Sequence, residues 1–451
     1  MTWAFFDYLV FAAVALPAGL LFALGGASIL ARPFSERVTG FLTRLVYGAV
    51  VALLLLAAGF SIPRDAEHHV ISFGSWFVAG DYSFELRLLA DPLSLIFSSL
   101  CVVLFWVVAA FAHSYLHREP GFNRFFVALA LFTFGVQLIV LAGSIEVVFA
   151  GWEMVGLSSA LLIAYFHERP APVRNGFWTL AVYRTTDLGI LGAAVLVHQI
   201  VHSGNFDAFL GSAWPQGPSP LTSGQATAIG ALLLFSVLGK GAQLPFSGWL
   251  PRAMEGPTPS SAIFYGALSV HAGAFLLLRM APILDRSPVV AALVVAFGLA
   301  TAVHATMVGR TQTDIKTALA YASMTQVGII LAEIGIGLRW IPLIHMLGHI
   351  SVRSLQLLRS PSLLHDFHRL ETAVGGHLPQ TGRYLERLVP ERVRRRLYVA
   401  SLERWHLDGL LLRLIAPVQA LLLALDRLEH RWCALLGGRP SHTREEHEPD
   451  A

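Results

Sequence analysis

Only two of the 32 basic residues in the chain are lysines, Lys240 and Lys316, and both lie in or at the edge of apolar segments. Arginine supplies positive charge everywhere else. A lysine taken out of water can give up its proton and an arginine does not, so the choice marks groups whose charge is meant to change. Lys240 stands in ALLLFSVLGKGAQLPFSGWLPRAMEGPTPSSAIFYGALSVHAGAFLLLRM, residues Ala231 to Met280. There Pro245 and Pro251 break one apolar run, and Gly256, Pro257 and Pro259 precede the next. A charge near the centre of a bilayer costs about 2.5–3.5 kcal/mol on insertion scales, and broken backbone at that depth must line a cavity or be covered by protein. The stretch therefore reads as a working site.

Other ionisable groups fall inside or beside apolar segments: Glu146, Glu153, Arg184, Asp187, His271, His304, Lys316, Glu333, His345, His349 and Arg353. Left unpaired in lipid, the charged ones together with Lys240 would cost on the order of 20 kcal/mol, so they must face the interior and meet one another or water. Glu146 and Glu153 are two helical turns apart and share a face, about 10 Å along the axis. Arg184 and Asp187 have the spacing to pair within one helix. His345, His349 and Arg353 recur every fourth residue and form one stripe. Two histidines at that spacing can hold zinc, but no third ligand is near in the sequence, so no metal site is expected. Carboxylates, lysines and histidines distributed through a dry bundle are the groups a proton relay requires, because each can hold or release a proton in response to its neighbour's charge.

These groups must be positioned by membrane helices. Of 451 residues, 55% are apolar and 14% charged, with mean hydropathy +0.62, a composition that excludes an ordinary soluble domain. Eleven apolar runs of spanning length fall near 4–31, 39–61, 92–113, 123–143, 145–166, 177–200, 225–249, 260–281, 288–309, 315–337 and 341–358. The N-terminal run is too long for a cleaved leader and reads as the first span. Between the second and third runs, HHVISFGSWFVAGDYSFELRLLAD alternates around Gly80-Asp81 and predicts a short extramembrane hairpin. Arginines cluster in alternate loops, at Arg32 and Arg37, Arg118 and Arg124, Arg169 and Arg174, Arg252 and Arg310. The positive-inside rule then puts the N-terminus outside and the C-terminus in the cytoplasm. A net charge of +3 spread over many loops is no nucleic-acid footprint. Cys101 and Cys433 offer no disulfide framework and no metal spacing.

The expected fold is an all-α polytopic membrane protein in three parts. Residues 1–90 hold the N-terminal spans and hairpin, residues 91–360 the ion-conducting core, and residues 361–451 a cytoplasmic or interfacial tail. The tail carries Val393-Arg394-Arg395-Arg396 and a leucine-rich run, Gly409 to Leu425, that contains Arg413 and Pro417. This run predicts an amphipathic helix on the membrane surface rather than a twelfth span. The last residues, SHTREEHEPDA, predict a disordered end. With no nucleotide loop, nucleophile triad or metal set, the chain is not expected to be an enzyme.

Three segments resemble a known family. GWEMVGLSSALLI (Gly151 to Ile163), GKGAQLPFSGWLPRAMEGPTPSSA and TDIKTALAYASMTQVG are similar to segments of the antiporter-like subunits of respiratory complex I and Mrp-type cation/proton antiporters. The resemblance covers about Asp91 to Leu358 and implies two inverted repeats of five helices, each with a broken helix. The first repeat would be complete and the second would stop after its third helix. It implies that Glu153 is the fifth-span acid pairing with Lys240, that Asp187 is the sixth-span acid, and that Lys316 is a bridging lysine. Tyr265 stands where the family has an eighth-span histidine, with His271 six residues later. The family's H-x-x-x-H-x-x-x-K pattern ends in Arg353. Glu146, Arg184 and Glu333 are supporting groups. AIFYGALSVH, HMLGHISVRSLQLLRSPSLL and the short length are similar to the DabB family, membrane subunits of DAB inorganic-carbon accumulation complexes. That resemblance implies no cofactor in this chain and a zinc-bearing DabA-like partner in the bacterial inner membrane, with ion flow, of protons, coupled to uptake of CO2 or bicarbonate. The alternative is a shortened complex I or Mrp-like subunit that moves H⁺ or Na⁺.

Overall fold

In the computed structural model, residues 3–61, 68–80, 82–211, 219–374 and 390–435 are described. Helices α1 (Trp3–Ile29) and α2 (Glu36–Ser61) come first, followed by the antiparallel strands β1 (His69–Ala79) and β2 (Tyr82–Ala90). The pairing runs from His69 opposite Ala90 to Ala79 opposite Tyr82, with two irregularities around Ser75. The expected hairpin is therefore present. Gly80 turns it with φ +59°, a conformation that residues with a side chain rarely adopt; Asp81 lies outside the described residues.

The bundle continues through α3 (Pro92–Tyr115), α4 (Phe122–Val140), α5 (Ile145–Ile163), α6 (Pro170–Val201), the short α7 (Phe206–Phe209) and α8 (Ser223–Lys240). The chain then breaks into α9 (Trp249–Arg252), a 3₁₀ turn (Ala253–Glu255), α10 (Thr258–Ser260), a π-helix (Ser261–Leu268), α11 (Ser269–Arg279) and α12 (Ala281–Arg286). Long helices resume with α13 (Pro288–Gly309), α14 (Ile315–Gly335) and α15 (Trp340–Val374). The eleven apolar runs fall largely on helices, although the seventh leaves α8 after Lys240. Among the described residues, eight helices, α1 to α6, α13 and α14, are long and apolar enough to cross a membrane. The other three runs contain the breaks and the densest polar groups, which shorten or dilute them. Helix α15 also runs on past residue 358, where the apolar run ends, to residue 374.

Local chemistry sets several of these boundaries. Asp91 caps α3, accepting from Ser94 N at 2.8 Å while Ser94 Oγ accepts from Asp91 N at 2.9 Å. Its carboxylate also accepts from both guanidinium nitrogens of Arg279 at the end of α11, the Nη2 contact being 3.0 Å, and both residues are buried. One ion pair thus ties the third span to the end of the broken segment. Thr222 caps α8 together with Gln225, and Asp314 caps α14 through Thr317 N at 2.7 Å.

Two crossings share one device. A Cβ on Gly135 of α4 would meet the Gly151 carbonyl of α5, and one on Gly151 would meet the Gly135 carbonyl. Gly298 of α13 and Gly328 of α14 oppose each other in the same reciprocal way. Such contacts let two helix backbones touch in a membrane interface, where packing rather than water exclusion drives association. The same contact joins the fourth span to the fifth and the ninth to the tenth, the positions that correspond in two five-helix repeats.

At one end of the bundle, β2 is extended by the α4–α5 loop. Leu89 N donates to Leu141 O at 2.8 Å and Gly143 N to Arg87 O at 2.9 Å. Asp207 of α7 binds His68 at 2.9 Å and Arg87 at 3.4 Å. By internal contacts the chain divides after Tyr398. The second unit holds α17 (Leu407–Leu435), which follows α16 (Glu391–Leu402) and a 3₁₀ turn at Arg404–His406. The predicted leucine-rich helix is part of α17, with Pro417 inside it and Leu421, Leu423, Leu425 and Leu428 exposed. The C-terminal residues 436–451, expected to be disordered, lie outside the described residues.

Candidate ion-translocation site

Three helices supply the central site, each through residues four apart that share one face: Trp152 and Gly156 on α5, Tyr183 and Asp187 on α6, Ser236 and Lys240 on α8. Lys240 is fully buried and Asp187 is 3% exposed. Lys240 Nζ donates to the Trp152 carbonyl at 3.1 Å. It also lies 4.1 Å from the centroid of the Tyr183 ring and 5.0 Å from that of Trp152, so its charge rests on two aromatic faces. Asp187 Oδ2 stands 3.8 Å away. That is beyond a hydrogen bond, so the attraction is Coulombic, about 4 kcal/mol at an effective dielectric of about 20. Asp187 Oδ1 accepts from Trp152 Nε1 at 2.6 Å, whereas Oδ2 has no hydrogen-bond partner among the described residues.

The backbone around this pair is arranged to hold it. Ser236 Oγ accepts from Ile190 N and donates to Thr186 O, each at 2.7 Å. It sits between the two groups that an undisturbed turn of α6 would join directly, and that turn carries Asp187. Trp249 Nε1 donates to the Gly239 carbonyl at 2.9 Å, which fixes the end of α8 beside the lysine. Gly156 leaves room for the ammonium: a Cβ there would lie 2.9 Å from Lys240 Nζ and 3.9 Å from Arg184 Nη2.

Arg184 and Glu153 form an ion pair between α6 and α5 at the edge of this site. The pairing differs from the one expected. Glu153 follows Trp152 by about 100° around α5, so when Trp152 faces Lys240 the carboxylate turns toward Arg184 instead. Asp187 correspondingly turns away from Arg184 and takes the lysine. The four groups make a neutral quartet of two cations and two carboxylates.

A second set lies on α11, α14 and α15. His271 is fully buried, and its Nε2 lies 3.1 Å from His349 Nδ1. His345 bridges Glu333 Oε1 at 2.9 Å and Gln326 Oε1 at 3.0 Å, both on α14. The stripe expected on α15 thus faces two helices, His345 toward α14 and His349 toward α11. Arg353, one turn further, is 7% exposed. Tyr183 OH lies 3.4 Å from Ser269 Oγ, which joins the aromatic floor under Lys240 to the helix bearing His271. Lys316 Nζ donates to the carbonyls of Met254 at 2.8 Å and Gly256 at 2.9 Å and so clasps the broken segment. Tyr265 lies on the π-helix, with its side chain outside the described residues. Buried His304 lies on α13. Glu146 is far along α5 from Lys240 and pairs with His198 of α6 at 2.5 Å; it also lines an apolar cavity of about 1060 Å³ between α1, the hairpin, α4 and α5.

Several contributors were not singled out by sequence reasoning. Trp152 was visible only as the neighbour of Glu153. Tyr183 carried a signal, since it lies four residues before Asp187. Gly156, Ser236 and His198 act through contacts between helices, which no local spacing reveals. The Asp91–Arg279 pair joins residues 188 positions apart. Among the described residues, no group of three or more histidines, cysteines or acids is placed to hold a metal ion.

With this geometry in hand, comparison with known proteins places the chain. The profile described as "NADH:quinone oxidoreductase/Mrp antiporter, TM" matches residues 142–376. The profile described as "NADH-Ubiquinone oxidoreductase (complex I), chain 5 N-terminus" matches residues 76–126. The chain belongs to this family of antiporter-like membrane subunits. Among its relatives, the probable inorganic carbon transporter subunit DabB1 of Halothiobacillus neapolitanus is 35% identical over 71% of this chain and 58% of its own length. NADH-quinone oxidoreductase subunit L of Rhodobacter capsulatus is 32% identical over 75% of this chain and 51% of its own. The chain thus spans about half the length of the curated relatives it matches, between 40% and 58%. The Mrp complex of Dietzia sp. DQ12-45-1b contains a chain with TM-score 0.64 and 27% identity, covering 84% of this chain and 40% of that one. An archaeal membrane-bound sulfane sulfur reductase matches in fold, with TM-score 0.64 at 19% identity over 77% of this chain and 70% of that one.

Proposed function

We propose that this chain is the proton-conducting membrane subunit of a complex that couples an ion gradient to uptake of inorganic carbon. The observation that carries the reading is Lys240, fully buried on two aromatic faces and 3.8 Å from Asp187, with the Arg184–Glu153 pair beside it. The likeness to DabB1 supports the choice of cargo.

The quartet performs this work electrostatically. Lys240 Nζ and Arg184 Nη2 both lie within 4 Å of the point a Gly156 Cβ would occupy. Two unit charges at such a separation repel by on the order of 2–3 kcal/mol at an effective dielectric of about 20. Glu153 masks Arg184 while the two are paired. When Glu153 takes up a proton or swings away, the unmasked guanidinium pushes against the ammonium, and Lys240 releases its proton toward the second set of groups through His271 and His349. Rebinding of ionised Glu153 to Arg184 lets Lys240 take up a new proton from the Glu153 side and regain its charge. Arg184 stays charged throughout, so it is a fixed element and Lys240 the switching one. One charge crossing 150 mV supplies roughly 3.5 kcal/mol, about a few hundredfold of accumulation for a neutral cargo.

In this reading the chain lies in the bacterial inner membrane with its N-terminus outside and its C-terminus in the cytoplasm. It is not itself an enzyme, and a DabA-type zinc protein is the partner that performs the carbon chemistry. The exposed leucine face of α17 is the surface that meets that partner or the bilayer beside it. Co-expression with a candidate partner tests this. Lys240→Ala and Glu153→Gln should abolish accumulation of labelled inorganic carbon while the complex still co-purifies, and deleting Leu397 to Ala451 should release the partner while the bundle stays inserted. Accumulation that survives both substitutions and a protonophore would refute the reading. A second reading, a complex I- or Mrp-like subunit moving H⁺ or Na⁺, is favoured by the Mrp likeness over 84% of the chain. Co-purified quinone-reducing or small antiporter subunits in place of a zinc protein would select it.

A further inference from the structure

Arg353 of α15 is a buried guanidinium that no described residue answers. It is 7% exposed, its Nε is wholly buried, and it makes no hydrogen bond or ion pair with any described residue. This contrasts with Arg279, equally buried, which is met by Asp91 through two hydrogen bonds. An uncompensated charge inside a membrane bundle is strongly disfavoured, so a buried cation without a carboxylate calls for an anion from elsewhere. His349, one turn before Arg353 on the same face, is 9% exposed, and its Nε2 has no partner among the described residues either. The described side chains beside His349 include His271, at 3.1 Å, and His345 and Arg353, one turn away on the same helix, none of them acidic. Glu333, the carboxylate of α14, is engaged through Oε1 by His345.

We propose that Arg353 and His349, oriented by His271, form a binding site for a small planar oxyanion of the hydrogen carbonate type. The Nε edge of a guanidinium offers two parallel N–H donors whose spacing matches two oxygens of a trigonal planar anion. The third oxygen falls to His349. When His271 Nε2–H donates across the 3.1 Å contact to His349 Nδ1, the His349 proton sits on Nε2, the atom left without a partner. One anion then satisfies both unmatched donors and neutralises the guanidinium. A spherical halide accepts from the same groups without matching the fork. The site goes beyond the proton-coupling reading and does not rest on it, because binding is measured without transport.

The experiment uses the full chain in nanodiscs at fixed pH and ionic strength, with sodium hydrogen carbonate, nitrate and chloride as probes and the unfolding temperature as readout. In the wild type, hydrogen carbonate and nitrate should raise that temperature saturably, and chloride should act only at concentrations roughly tenfold higher. Arg353→Gln should remove the saturable response. Arg353→Lys keeps the charge and loses the fork, so it should weaken the planar anions roughly tenfold and narrow their preference over chloride. Should Arg353→Gln fail to insert, His349→Gln serves, with a smaller loss of affinity and the guanidinium intact. No saturable response in the wild type, the same response in Arg353→Gln or in its substitute, or chloride matching nitrate would overturn the proposal.

Discussion

Replacing Lys240 and Asp187 singly and together measures the contact on which the site is built. At 3.8 Å the pair attracts by about 4 kcal/mol at an effective dielectric of about 20. Asp187→Asn alone leaves the ammonium without a counter-charge, and breaking a buried pair in this way costs about 3–5 kcal/mol. Lys240→Met alone leaves a carboxylate that keeps its bond from Trp152 Nε1 at 2.6 Å, so its cost should be the smaller of the two. The double variant has no charge to strand. Its loss should fall short of the summed single losses by about 2–4 kcal/mol, the coupling expected of a close buried pair. Equilibrium unfolding in mixed micelles, followed by tryptophan fluorescence, reads all four proteins. The control is the same cycle between Glu153→Gln and Lys240→Met, whose coupling should be the smaller, because Glu153 pairs with Arg184 and acts on Lys240 only through the repulsion that it masks. A larger coupling for Glu153 than for Asp187 would refute this assignment of partners.

Three further outcomes follow from particular contacts. Gly156→Ala places a methyl 2.9 Å from Lys240 Nζ; the end of a flexible side chain can move aside, so unfolding should shift by less than about 1 kcal/mol while transport falls at least roughly tenfold. Asp91→Ala removes both a helix cap and the partner of buried Arg279 and should cost about 3–5 kcal/mol, whereas Asp91→Asn keeps part of the cap and should cost less, as measured by the same unfolding assay. The hydrogen bond from His68, helped by the charges of His68 and Arg87, holds the Asp207 carboxyl below its usual range. A depressed carboxylate contributes stability that is present above its unfolded-state value and lost as pH falls through the folded-state value. Hydrogen exchange in residues 68–90 should therefore quicken only as pH drops below the ordinary carboxylate range. Asp207→Asn should mimic that loss at neutral pH, by under about 1 kcal/mol because the side chain is half exposed.

What the sequence revealed and what it hid divide along one physical line. Properties set within a helix were legible. The eleven apolar runs became largely helical because hydrocarbon length and hydropathy are local, and the hairpin at His69 to Ala90 appeared where alternation and Gly80 placed it. The break after Lys240 contains Pro245, whereas Pro251 lies inside α9 rather than in a break. Properties set between helices were not legible. That Lys240 meets Asp187 rather than Glu153 depends on the rotation of α5, which the bulk of Trp152 fixes against α6 and α8. Ser236 reads as an ordinary small residue of an apolar run, yet it enters the backbone of another helix. Arg353 was visible as the end of a histidine stripe, but that no carboxylate among the described residues pairs with it belongs to the packed bundle.

The most direct measurement is proton flux. Proteoliposomes holding the complex under an imposed pH gradient and membrane potential, with a pH-sensitive dye inside, report whether charge moves through the Lys240 site. The wild type should admit protons in proportion to the gradient and together with labelled inorganic carbon. Lys240→Ala should abolish both movements in a complex that still assembles. Flux in Lys240→Ala equal to that of the wild type would show that the buried lysine only holds helices together.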